Sequence, residues 1–230
     1  MANASDLSRR NLLNLGVKAT AAGLLAGGLN LSFPNRLEAQ STMTPSAALD
    51  ELVAGNKRFT SGAMTAHEQD LRILKQHTEN KQEPFAAVHS CADSRVPVEL
   101  VFDQSIGRIF VTRVAGNITT PEIIASLEYG AAVLGTKVIL VLGHSNCGAV
   151  KAAIQGKEVP GQISCLFPHL QPAVDKAGPD GEADTKANAT MQAALLRESS
   201  TVISGMVKAG SLKVVAGYYD VGTGSVTMLE

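Results

Sequence analysis

Apolar residues recur along this chain at two periods, and the alternation between them lays out the elements. Ala48, Leu49, Leu52, Val53 and Phe59 repeat at helical spacing behind Thr44-Pro45, an N-cap followed by proline at the first helical position. A helix to about Phe59 is expected. Residues 85–90 (FAAVHS) form a short apolar run and residues 108–114 (RIFVTRV) a β-branched one, so both read as strands. Thr120-Pro121 repeats the helix-start signal, Ile123, Ile124, Leu127, Ala131 and Leu134 share one face, and Gly135 ends it. Residues 137–142 (KVILVL) are apolar on both faces, as a buried parallel strand requires. Helices over 147–155 and 191–208, a strand over 212–219, a glycine-rich turn and a last strand over 225–229 complete the pattern. Strands alternating with helices predict an α/β fold with a mainly parallel central sheet flanked by helices.

That order places chemistry. In parallel sheets ligands sit at the carboxyl ends of the strands, and Cys91 and His144 each fall just past the end of a predicted strand. Cys147 follows His144 by three residues in GHSNCGAV, near the start of the 147–155 helix, where the helix dipole favours a thiolate. Singly, a buried cysteine is a small apolar residue and a strand-end histidine a structural one. Together, two thiols and an imidazole at element ends are a ligand set for zinc, whose catalytic sites take three protein ligands and keep one position open. The glycines at 143 and 148 are expected to let the backbone pass close to the ion. Asp93 and Arg95, in CADSRVP, would ordinarily be a surface ion pair worth little, but they lie two and four residues from Cys91.

Composition narrows the class further. The 230 residues carry 20 basic and 21 acidic side chains with no Lys/Arg cluster, so nucleic acid is not an expected partner. Residues 1–40 differ from the rest: Ser8-Arg9-Arg10-Asn11-Leu12-Leu13 resembles a twin-arginine export signal, followed by a mildly apolar stretch rich in Ala and Gly. The uncharged window 19–35 is shorter than the roughly 20 residues a membrane span needs. The chain therefore reads as an export segment over 1–40, addressed to the export machinery and a periplasmic location, and one catalytic domain over 41–230.

Several motifs together resemble a known family. CADSRV, RVAGN (113–117), SLEYGAAVLG (126–135) and GHSNCGAV stand in the order found in the β-class carbonic anhydrases, and GNKRF (55–59) and GYYDVGTGSV (217–226) extend the likeness over most of 45–230. The resemblance implies reversible hydration of carbon dioxide to bicarbonate and a proton by zinc-bound hydroxide, with one Zn2+ per subunit. It makes Cys91, His144 and Cys147 the metal ligands and Asp93 with Arg95 the catalytic dyad. Gln82, Phe110 and Tyr129 match positions that line the substrate pocket in some members, and the family's dimeric unit implies a homodimer or higher homo-oligomer. RVAGN departs from the family, which more often has asparagine where Val114 stands. Some members close when the counterpart of Asp93 moves onto the zinc and bicarbonate fills a pocket walled by tryptophan and tyrosine. Here Val88 and Ala132 stand at those positions and the chain has no tryptophan, so an open resting site with Asp93 on Arg95 is expected. Two rivals remain: a carbon disulfide or carbonyl sulfide hydrolase on the same scaffold, and a structural zinc protein with Cys165 as a fourth ligand.

Overall fold

The computed structural model describes residues 41–66, 82–178 and 180–229; the export-signal reading lies outside these residues. Helix α1 (Pro45–Thr60) begins as the capping signal requires, with the Thr44 side chain accepting from the Ala47 amide at 3.1 Å. Strand β1 (Ala86–Ser90), the short helix α2 (Val98–Val101) and strand β2 (Ile109–Arg113) follow. Helix α3 (Pro121–Glu128) continues into one wide turn, Tyr129–Val133, before strand β3 (Val138–His144). Helices α4 (Gly148–Gln155), α5 (Phe167–Ala177), α6 (Gly181–Ser199) and α7 (Thr201–Lys208) lead to strands β4 (Lys213–Tyr219) and β5 (Val226–Leu229).

The sheet runs β2-β1-β3-β4-β5, parallel except for β5. Both faces are covered, which is why β3 is buried along its whole length. Val88, Leu140 and Leu142 pack toward Ala48 and Leu52 of α1 and Val98 and Val101 of α2. Ala87, Ile139 and Val141 point the other way, toward Leu127 of α3, Ala189, Ala193 and Leu196 of α6, and Ile203 of α7. From β1 the chain turns to one side for β2 and then crosses to the other for β3. The crevice this reversal leaves, between the carboxyl ends of β1 and β3, is where a ligand is expected in such sheets.

One expected element is corrected. The 191–208 helix is two helices, and the first begins ten residues earlier, at Gly181. Ser200 breaks them: it adopts an extended backbone, its hydroxyl accepts the Ile203 amide at 3.0 Å and donates to Glu128 Oε1 at 2.6 Å. A residue whose side chain caps the next helix cannot continue the previous one.

A buried carboxylate ties α1 to the end of α2. Asp103, with no exposed side-chain surface, pairs with Arg58, which is 30% exposed, and accepts the amides of Thr65 at 2.9 Å and Ala66 at 3.0 Å. Burial alone would raise the Asp103 carboxyl, but the Arg58 guanidinium and the two amides outweigh it and hold it below the usual carboxylate range. A depressed folded-state pKa contributes stability that is present above the unfolded value, near 3.9, and is lost as pH falls through the folded value. Asp103→Asn should therefore cost roughly 3 kcal/mol at neutral pH, the low end for a buried pair because Arg58 is partly solvated. Its stability should also fall less steeply than wild type on acidification below about pH 4. Denaturant unfolding at pH 7 and pH 3.5 checks both.

Candidate metal centre

Three side chains converge in the crevice between β1 and β3. Cys91 follows the last residue of β1, His144 is the last residue of β3, and Cys147 is the N-cap of α4. Their ligand atoms all lie within 4.8 Å of one another, and all three residues are buried. The turn that carries two of them is locally determined. The Ser145 amide donates to Tyr219 O at 2.8 Å, its hydroxyl accepts the Val221 amide at 2.9 Å, and Asn146 takes the left-handed backbone (φ 56°) that asparagine tolerates. Gly143 makes room for α6, because a Cβ there would lie 2.9 Å from Thr185 Cγ2 and 3.1 Å from Thr185 O. At Gly148 a Cβ would meet open space.

The donor set suits a thiophilic divalent cation. His144 Nδ1 faces the Ser145 carbonyl oxygen at 2.9 Å and must carry the proton, which leaves the Nε2 lone pair free. That Nε2 is buried with no hydrogen-bond partner, an arrangement that costs free energy unless something occupies the lone pair. The two sulfurs stand 4.0 Å apart, too far for a disulfide and close to the roughly 3.8 Å that two 2.3 Å zinc–sulfur bonds at a tetrahedral angle require. Their contact holds the Cys91 thiol well below the usual thiol range, and the same contact together with burial pushes the Cys147 thiol up. A cation bound to both sulfurs would displace their protons. Zinc therefore fits Cys91, His144 and Cys147 by ligand type, spacing and the orphaned nitrogen.

Asp93 and Arg95 stand at the rim. Arg95 Nε and Nη2 grip the Asp93 carboxylate side-on at 2.9 and 2.7 Å, and the Arg95 amide adds a third bond at 2.9 Å. These bonds, led by the guanidinium, hold the Asp93 carboxyl far below the usual carboxylate range, so it is an anion at any ordinary pH. Its Oδ2 is 3.9 Å from His144 Nε2, which puts it beside the ligand atoms. Arg95 Nη2 also donates to Asn146 O at 3.2 Å, so one side chain spans both ligand-bearing loops. Arg113, at the end of β2, donates from Nε to Cys91 O at 3.0 Å and from Nη2 to Asp93 O, pinning the loop between them. Val114 packs in the cluster around Cys91, Ile118, Cys147, Val150 and Leu170.

The remaining expected residues are elsewhere. Gln82 is exposed and precedes the amino end of β1, whereas Cys91 follows its carboxyl end. Phe110 lies in β2 opposite Ala87, and Tyr129, 46% exposed, meets it with ring centroids 6.4 Å apart. Within one chain these three are not brought to the Cys91–His144–Cys147 group. Cys165 is exposed, donates to Gln162 Oε1 at 3.3 Å and stands outside that group. Sequence reasoning missed Gly116 and Asn188: the Gly116 amide donates to Cys91 Sγ at 3.3 Å, and Asn188 Nδ2 holds the Gly116 carbonyl at 2.9 Å. Asn188 lay outside the expected 191–208 helix, so no signal in the sequence marked it.

A mostly parallel sheet with a Cys-His-Cys group at its reversal point defines a class, and comparison with known proteins names it. Residues 86–226 match the family model described as carbonic anhydrase. Carbonic anhydrase 2 of Mycobacterium tuberculosis is 32% identical over 194 residues, covering 81% of this chain and 93% of that protein. A carbonic anhydrase of Mycolicibacterium smegmatis is 35% identical over 192 residues, covering 80% and 93%. Among solved structures, a β-carbonic anhydrase of Aspergillus fumigatus is 25% identical with a TM-score of 0.64, covering 80% of this chain and 90% of that one. One from Sordaria macrospora, described as tetrameric, shares the fold at 23% identity, a TM-score of 0.63, and coverage of 80% and 94%. The chain belongs to the carbonic anhydrase family, in its β class, and is an enzyme of that family.

Proposed function

We propose that this chain catalyses the reversible hydration of carbon dioxide to bicarbonate and a proton at a zinc ion held by Cys91, His144 and Cys147. The observation that carries the reading is the buried, unpartnered His144 Nε2 converging with two thiols beside a carboxylate that Arg95 keeps ionised. Zinc, when bound there, supplies the Lewis acidity that makes water a nucleophile near neutral pH. Asp93 is the anionic acceptor. Its Oδ2 takes a hydrogen bond from the attacking water, holds that proton away from the substrate and so turns an oxygen lone pair toward the carbon of carbon dioxide. Arg95 prevents the carboxylate from swinging, because moving it would break two charge-assisted bonds. Product bicarbonate leaves and one proton passes to solvent. Carbon disulfide and carbonyl sulfide are the competing substrates on such a site. Rates for all three on one preparation decide: hydration of carbon dioxide well above sulfide release supports the proposal, and the reverse order overturns it.

Two further parts of the reading concern assembly and location. Gln82 and Cys91 flank opposite ends of β1, which alone spans about 17 Å at 3.3 Å per residue. Gln82 can therefore line a metal group only in a second copy, and the exposed Tyr129 and Val133 near β2, the edge strand among the described residues, offer an apolar surface for it. Sedimentation should show a homo-oligomer, and a monomer would overturn this part. Export rests on Ser8–Leu13, and it has a chemical rationale: an oxidising compartment endangers two free thiols, whereas the twin-arginine pathway carries folded, metal-loaded protein. Replacing Arg9 and Arg10 by lysine should leave metal-bound protein in the cytoplasm; unchanged export would contradict the reading.

A further inference from the structure

A layer of buried side-chain amides lies behind the metal group. Asn188 and Gln192 stand one turn apart on α6 and are 1% and 4% exposed, on a face where apolar residues would be the ordinary choice. Gln192 Oε1 accepts the Thr119 amide at 2.7 Å, and its Nε2 donates to His169 O at 3.2 Å and to Asn188 Oδ1 at 3.1 Å. Asn188, its orientation set by that bond, donates from Nδ2 to Gly116 O at 2.9 Å. Gly116 in turn donates its amide to Cys91 Sγ at 3.3 Å.

The geometry of Gly116 makes these bonds one unit. The carbonyl held by Asn188 and the amide aimed at sulfur belong to successive peptide planes, joined through a backbone at φ 74° that glycine alone adopts freely. A Cβ at Gly116 would lie 3.1 Å from Leu170 Cδ2 and 3.3 Å from Ala149 Cβ, so the residue is also confined by α5 and α4. Fixing the carbonyl fixes the rotation of the residue and with it the direction of the N–H.

We propose that Asn188 is a positioning residue for the metal centre: by holding the Gly116 carbonyl it keeps the Gly116 N–H on Cys91 Sγ. The proposal rests on the metal reading given above. Two thiolates and a neutral imidazole cancel the whole charge of a divalent cation, which weakens it as a Lewis acid. An N–H donated to one sulfur withdraws part of that negative charge and offsets the loss. The line from α6 to the thiolate thus tunes the ligand as well as placing it.

The test uses cadmium-113, a thiophilic divalent ion, bound to the full chain. In wild type a scalar coupling should appear between the metal and the Gly116 amide proton, transmitted through the N–H···S bond. In Asn188→Leu, which keeps the branched shape in a somewhat larger volume but lacks the donor, the coupling should shrink or vanish. Metal affinity against a competing chelator should fall about 10- to 100-fold, the range for loss of a supporting partner of a ligand. Asn188→Ser is read in the same way should the leucine variant fail to fold. A variant of lowered thermal stability but unchanged coupling and affinity would show Asn188 to be merely structural and overturn the proposal. So would a wild-type protein that binds cadmium through both sulfurs without coupling to Gly116. Wild type that binds no cadmium at all would overturn the metal reading and this proposal with it.

Discussion

Asp93→Asn should retain its metal and lose about 10²- to 10⁴-fold in turnover, the span associated with a positioned proton acceptor. The substitution keeps shape and size but removes the negative charge that Arg95 sustains. An amide presents one acceptor oxygen and two N–H donors, and a donor facing the attacking water would turn its lone pair away from the substrate. The Arg95 fork would also lose its charged partner, yet it would keep the Asn146 carbonyl, so the loop between the ligands should hold. Steady-state hydration rates beside metal content separate the two effects. Full turnover in a metal-loaded variant would remove Asp93 from the chemistry; loss of metal would mean that it supports the ligands instead.

Cys147→Ser should weaken zinc binding by more than about 100-fold, beyond the cost of losing a mere supporting partner, and abolish activity in proportion. A serine hydroxyl does not ionise near neutrality, whereas a thiol gives up its proton to a bound cation. The fold should survive: Cys147 caps α4 through its extended backbone without a side-chain bond, and the turn before it is tied by Ser145 to Tyr219 and Val221. Metal titration with circular dichroism would show an intact protein that does not hold zinc. Wild-type affinity in this variant would eliminate Cys147 as a ligand.

What the sequence disclosed followed from how openly each residue type declares its role. The strands were readable because β1 and β3 are buried on both faces and must be apolar throughout. The Cys91–His144–Cys147 group was readable because two thiols and an imidazole at the ends of neighbouring elements, taken together, have few other uses. Helix α6 began earlier than expected for a physical reason: Asp184, Thr185, Asn188 and Gln192 on its buried side are polar, so its face lacked the apolar period that announces a helix. Those same residues include the ones that hold the 116–119 loop under the metal group, so what hid the helix is what gives it its place in the site. Helix α5 was hidden by Pro168 and Pro172, both helix breakers on paper, although the first sits at its opening turn where proline is favoured.

The central claim is that one zinc on Cys91, His144 and Cys147 makes this chain a carbon dioxide hydratase. Stopped-flow hydration on protein stripped with a chelator and then titrated with zinc tests it most directly. The rate should rise in proportion to bound metal, reach its plateau at one zinc per chain and stay there with further metal. Hydration undiminished after stripping, or a fully zinc-loaded chain that hydrates carbon dioxide no faster than buffer, would contradict the account.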